Sequence, residues 1–350
     1  MTPKERWLAV LSGQKPDRLP MDYWATEEAT AQVMKHLGCA DEWQMVEKLH
    51  IDRVVALKPD YIGPPLADDG DMYGCRRQKI SYSDGRGVYL ECVYHPLAPY
   101  ATVEEIADNY TWPSADWFDY SVLPAQIKGK EDYPIRGGGS EPFLIYKNLR
   151  GMEQAYIDLV ENPEIVHYCL DQLFEFCYQH TTRIYEQLPG QIDLSYVAED
   201  FGGQESLLFS PAMIKTFLIP RMKRMIDLAH QAGVYAFFHS DGAIREIIPA
   251  MIEAGIDILN PIQWRCPGME RAALKRDFGR QVVFHGGMDN QYTLPFGSVE
   301  AVQQEVIANI ELLGQDGGYI LAPCHNIQVV SPPENVVAMY EAGYAYGRIA

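Results

Sequence analysis

Residues 234–260 read VYAFFHSDGAIREIIPAMIEAGIDILN. The first run, VYAFFH at 234–239, is aromatic and β-rich and stays apolar until its last residue, as a strand covered on both faces requires. Ser-Asp-Gly supplies a turn, residues 244–254 carry a helix, and IDIL at 256–259 is a second strand. Two strands joined through a helix this closely run parallel. The same unit recurs on either side. Upstream lies the strand IDLSYV (192–197) with apolar residues at helical spacing over 211–231. Downstream lie a helix at 269–278, the strand VVFH (282–285), a helix at 298–313, the strand YIL (319–321) and a helix from 332 to the end. Near the start, IDRVVAL (51–57) is a further strand. At least five such units in the C-terminal half favour an α/β fold, a single (β/α)8 TIM barrel over residues 1–350, rather than an open doubly wound sheet. No GxGxxG follows a first strand, which weakens a dinucleotide-binding alternative.

Residues 70–100 break the rhythm. Two strands joined by Ser83-Asp84-Gly85-Arg86-Gly87 read as a small β-hairpin excursion that can cover the barrel mouth. Residues 101–133 are rich in Trp, Pro and Asp and read as a surface connection. Thr2 is placed to cap a short first helix.

The 350 residues carry 29 basic and 48 acidic side chains, a net charge of −19. That balance argues against nucleic acid, which needs a basic stripe, though a small anion in a local basic pocket stays open. No apolar run approaches a membrane span, and the N-terminus lacks a long apolar stretch, so no membrane partner and no signal peptide are expected. Seven scattered cysteines without a CxxC pair fit free thiols in a reducing, cytoplasmic setting.

A barrel of this kind binds ligands where its strands end. The polar residues at those ends are Asp60 and Tyr61, Glu199 and Asp200, His239 and Asp241, Asn260 and Gln263, His285 and Asp289, and Cys324 and His325. The sharpest pair is His239-x-Asp241, whose i, i+2 spacing just past a strand lets both side chains share one ligand or metal. The competing reading is a packed histidine and an aspartate that caps the next helix. Cys324 or His325 can complete the set, although a lone cysteine is more often a small buried hydrophobe. Glu199 and Asp200 offer general acid/base groups or further ligands, or Asp200 serves the Gly202-Gly203 turn. Substrate contacts are expected from Asp60, Tyr61, Tyr146, Asn260, Gln263, His285 and Asp289. Gly137-Gly138-Gly139 and Gly286-Gly287 permit close backbone approach to a ligand or simply tight turns.

Taken jointly, SGQKPDRLP, HIDRVVALKPDYIGPPL, LSYVAEDFGGQESLLFSPAMIKTFLIPRMKRMI, FFHSDGAIREIIPAMIEAGIDILNPIQ, VVFHGGMDNQYTLP and GGYILAPCHNIQVVSPPENVVAMYEA resemble the uroporphyrinogen decarboxylase superfamily, including its corrinoid-linked methyltransferase branch. The resemblance implies a (β/α)8 barrel. Decarboxylases of the superfamily hold substrate carboxylates with an arginine-bearing Met-Arg-Gln-Ala-Gly-Arg-Tyr segment. The matching stretch here, Asp22 to Glu28, has no arginine and contains Asp22, Glu27 and Glu28. By the same resemblance Asp52 matches the central acid, His325 matches the histidine near the last strand, and Asp200 stands where the decarboxylases place a serine. The methyltransferase branch holds zinc through His-x-Cys and a later Cys. Its counterparts here are His239, Asp241 and either Cys324 or His325.

The first reading is therefore corrinoid-linked methyl transfer involving a small O- or N-methylated compound, assisted by zinc on His239, Asp241 and Cys324. The cobalamin would sit on a separate partner protein. Catalytic roles fall to Asp52, Glu199, Asp200 and His325, and the resemblance implies a homodimer. The second reading is a decarboxylase-like lyase using Asp52 and His325. A non-enzymatic sensor or carrier is the third. The acidic rim suits a cation or a neutral methylated compound better than a polyanion.

Overall fold

The computed structural model describes residues 1–85 and 87–348. At its centre is a seven-stranded sheet in which every pairing is parallel: β1 (Val55–Ala56), β2 (Ile135–Ser140), β3 (Leu194–Ala198), β4 (Tyr235–His239), β5 (Ile258–Asn260), β6 (Val283–Met288) and β7 (Tyr319–Pro323). Strands β6 and β7 are buried along their whole length, as helices packed outside a parallel sheet demand. The sheet curls, and the segment before β1 bonds both of its edges. Leu321 donates its N–H to Pro20 O at 3.0 Å, Asp22 to Leu321 O at 2.9 Å, and Asp52 to Met21 O at 2.7 Å. The result is a TIM-barrel-like α/β fold, with seven strands among the described residues where the alternation predicts the eight of a (β/α)8 barrel.

The interior is filled from below. The first helix, Pro3–Leu11, starts with a capping box in which Thr2 accepts from Glu5 N–H and Glu5 accepts from Thr2 N–H, so Thr2 caps it as expected. It carries Trp7 into a cluster with Leu194, Phe237, Ile258, Val283 and Ile320. These come from β3 to β7 and face one another across the curled sheet. The Trp7 indole N–H reaches Asp52 O at 2.9 Å, so the one polar atom of this plug is satisfied.

Three segments depart from the sequence reading. The triple glycine is part of β2 itself. A Gly run has no alternating side chains to betray a strand, and here the pairing register is interrupted between Arg136 and Gly139. Gly139 lies at φ +127°, and a Cβ there would collide with the Tyr196 carbonyl. Its N–H is taken instead by Thr181 Oγ1 at 2.9 Å, from the long helix Pro163–Gln187. Second, residues 101–133 are more than a surface connection. Helices Val103–Asn109 and Leu123–Ile127 bury Ile106 and Leu123, and Phe118–Asp119 pairs antiparallel with Asp60–Tyr61. Third, the first strand shrinks to Val55–Ala56.

Arg76–Tyr82 and Gly87–Tyr94 pair antiparallel beside helix Pro142–Arg150, where Cys92 Sγ lies 3.5 Å from Asn148 O. Arg86 of the turn, and residues 349 and 350 beyond the last helix (Pro333–Tyr346), lie outside the described residues. No helix among the described residues is long and apolar enough to cross a membrane.

Candidate functional site

The parallel register sets Ala198 of β3 beside His239 of β4. The residues that follow therefore emerge together. Asp200, His239 and Asp241 bring one ligand atom each to within 4.8 Å of one another. Gly242, at φ +84°, turns the chain where a Cβ would strike the Gly203 carbonyl, and this holds the two loops in contact. Asp241 N–H donates to Asp200 Oδ1 at 3.3 Å. Gln263 braces the same loop, donating to Asp241 Oδ1 at 3.0 Å and accepting from Gly242 N–H at 2.8 Å. His325 stands at the rim with Nε2 3.8 Å from Asp241 Oδ2.

Behind His239 runs a buried chain: His239 Nδ1 to Asn260 Oδ1 at 2.6 Å, Asn260 Nδ2 to His285 Nδ1 at 2.7 Å, and His285 Nε2 to Asp22 Oδ2 at 3.1 Å. Its polarity follows from its end. The Asp22 carboxylate only accepts, and Trp24 Nε1 and the N–H groups of Tyr23 and Val54 already donate to it. Asn260 turns its NH2 to His285 Nδ1, which must accept, so His285 donates from Nε2 to Asp22. Asn260 Oδ1 accordingly accepts from His239 Nδ1–H. His239 is left with the Nε2 lone pair aimed at the carboxylates, 3.9 Å from Asp200 Oδ1. A hydrogen-bonded far nitrogen is how proteins orient a metal-binding imidazole.

The donor set fits a divalent cation. Ligands about 2.0–2.1 Å from a tetrahedral zinc stand roughly 3.3 Å apart, so the three atoms, within 4.8 Å of one another, need side-chain shifts on the order of an ångström to close on the ion. Two carboxylates and one imidazole leave the remaining position open, as a catalytic zinc site does.

Glu141 joins this cluster and was missed by the sequence reading. It follows β2, the strand whose glycines conceal it, and no other feature marks it. Burial pushes its carboxyl up to about 7; the Asp200 and Asp241 charges add to the shift and Lys147 opposes it. Glu199, next to Asp200, is committed elsewhere. It accepts the Phe143 and Leu144 N–H groups at 2.6 and 3.3 Å and so caps helix Pro142–Arg150, whose own N-cap residue, Glu141, makes no capping bond.

Several expected site residues are also structural. Asp52 is fully buried, and its oxygens accept from Arg6 Nη1 (2.5 Å), Arg18 Nη1 (2.7 Å), Arg18 Nη2 (3.0 Å) and Met21 N (3.0 Å), which leaves no lone pair for a substrate. Tyr146 donates to Asp158 at 2.6 Å between two helices, away from the mouth. Asp289 is held by Arg265, Gln291 N and Thr293 N. Asp60 is exposed and pairs with Asp119, while the Tyr61 hydroxyl bonds Pro64 O. Cys324 is buried with Sγ 3.1 Å from Ile262 O. Burial pushes its thiol well above the ordinary value, with the Glu305, Asp289 and Asp241 charges adding, and it donates to that carbonyl outside the Asp200–His239–Asp241 group. Asp200 stands in the His239 cluster. Asn260, Gln263 and His285, expected as substrate contacts, hydrogen-bond to or behind the ligand side chains.

Residues 122–346 match the profile of the family Uroporphyrinogen decarboxylase (URO-D). The chain belongs to this family. The uroporphyrinogen decarboxylase of Anaeromyxobacter sp. (strain Fw109-5) is 25% identical over 209 residues, covering 60% of this chain and 54% of that protein. The chloroplastic uroporphyrinogen decarboxylase of Zea mays is 21% identical over 271 residues, covering 71% and 62%. The chain thus spans little more than half the length of the curated relatives it matches. A solved methyltransferase from Methanosarcina mazei, 19% identical, superposes with a TM-score of 0.71 over 99% of both chains and shares the fold. In URO-D family terms, Glu141, Asp200, His239 and Asp241 all fall inside the matched region, whereas Asp22 and Trp24 precede it.

Proposed function

We propose that this URO-D family member is a methyltransferase with zinc held by Asp200, His239 and Asp241, acting between a small O- or N-methylated compound and a corrinoid carried by a separate protein. The observation that carries the reading is the polarity of the Asp22–His285–Asn260–His239 chain, which presents an unprotonated Nε2 to two carboxylates. His325 is placed to join from the rim. Zinc here would supply Lewis acidity for the heteroatom that loses its methyl group. The protein's own part is positioning and proton control. Gln263 and Asn260 orient the ligand side chains, and the rings of Trp24 and Tyr196 pack 5.8 and 5.7 Å from the His239 ring. Glu141, whose carboxyl burial holds above its ordinary value, is the proton donor we assign to the demethylated oxygen or nitrogen. The decarboxylase alternative loses its assigned acid, because Asp52 is saturated by arginines.

Metal analysis of the purified protein tests the reading. Wild type and Cys324→Ser should carry close to one zinc per chain. His239→Ala and Asp200→Asn should retain less than about a tenth of it, since each removes one of three ligands. Full zinc in His239→Ala, or zinc lost only in Cys324→Ser, would overturn the assignment.

A further inference from the structure

A cavity of about 580 Å³ opens beside β1 and β2, lined by Trp24, Trp43, Arg53, Lys130, Arg136 and Tyr196. Arg136 points inward from β2. Its guanidinium lies 5.1 Å from the Tyr196 ring centroid and 5.9 Å from that of Trp24. Among the described residues no carboxylate pairs with it. The Asp22 charge acts on it without an ion pair, and both Asp22 oxygens are engaged by Tyr23, Val54, Trp24 and His285. Lys130 has no carboxylate partner either and sits 5.1 Å from the Trp43 ring. Arg53 alone is neutralised, by Glu42. Asp22 and Glu42 also line the cavity, so three cations there face two carboxylates, and neither carboxylate forms an ion pair with Arg136 or Lys130.

A guanidinium stays charged, and a largely buried one without a partner is costly unless something anionic meets it. Its flat fork matches a carboxylate with two parallel bonds. The two rings that stack on Arg136 are the same two that touch His239. We infer that this cavity binds a carboxylate of the substrate, and that the substrate is a flat methylated carboxylic acid whose body lies along Trp24 and Tyr196 between Arg136 and the His239 cluster. The placement of the methyl end rests on the methyltransferase reading; the anion site does not. The arginine missing from the Asp22–Glu28 stretch is thus replaced from a different strand.

Titration calorimetry of the intact protein with benzoate and with benzamide, its neutral isostere, tests this. Benzoate should bind, and benzamide at least tenfold more weakly. Arg136→Gln should weaken benzoate at least tenfold while keeping wild-type zinc content, and Arg136→Lys should fall between. Equal affinity for the two probes, no benzoate binding, or undiminished benzoate affinity in Arg136→Gln would overturn the inference. The comparison of probes on the unmodified protein decides even where a variant fails to fold. Loss of zinc binding with benzoate binding intact would sink the methyltransferase reading alone.

Discussion

Glu141 shows what one side chain's surroundings can do. Its carboxyl is raised from an ordinary 4.5 to about 7 by burial and by the Asp200 and Asp241 charges. Between those values the native state keeps a proton that the unfolded chain has released, so metal-free protein loses stability as pH rises through that window. The full loss is of order 2 kcal/mol after allowing for solvent screening. Glu141→Gln removes the titration. Its melting temperature in chelator should exceed that of wild type at pH 8 and match it near pH 4.5. A variant less stable than wild type at pH 8 would show that the carboxylate is stabilised there rather than strained. His239 is the converse case. Its spacing from Asp241 was legible in the sequence, because two residues apart past a strand share a side. Its free nitrogen was not, because that depends on Asn260, His285 and Asp22.

At the scale of elements, helices Pro142–Arg150 and Met152–Glu161 are locked by Asp158, which accepts from Tyr146, Arg150, Gln154 and Asn162. A tyrosine in an apolar helix following a glycine strand reads equally as a substrate contact or as a brace, and the hydroxyl's partner decides. Tyr146→Phe should cost about 1–2 kcal/mol, the loss of one buried hydrogen bond to a charged acceptor, and leave zinc content and benzoate affinity unchanged. Thermal melts alongside calorimetry check both halves. The strand β2 illustrates the opposite failure. Periodicity finds strands by side-chain alternation, and three glycines erase it, so the positions that introduce Arg136 and Glu141 were hidden together.

At the scale of the molecule, the curled sheet is held at its seam by the segment before β1, and the Asp52 carboxylate ties that seam to Arg6 and Arg18. Asp52→Asn keeps the shape but removes the charge, leaving the buried Arg18 guanidinium facing an amide while Arg6 keeps Asp17. The expected cost is about 3–5 kcal/mol, read as a lower denaturant midpoint with unchanged zinc content in the folded protein. Wild-type stability with abolished activity would restore Asp52 to a catalytic role. The acidic excess is likewise distributed by the fold: carboxylates gather at the His239 end, and unpaired cations gather one aromatic ring away at Arg136.

Legible in the chain alone are the alternation of apolar strand and amphipathic helix, hence the parallel α/β fold, and the ends of strands as the place for chemistry. Both are local periodicities written into neighbouring residues. The tertiary structure adds which carboxylates converge, what Cys324 and Asp52 hydrogen-bond, and that Arg136 meets no carboxylate partner among the described residues. Those outcomes depend on pairings between residues from Asp22 to His285, made when the sheet curls. A hydrogen-bond chain takes its direction from its last acceptor, and no local pattern records what that acceptor will be.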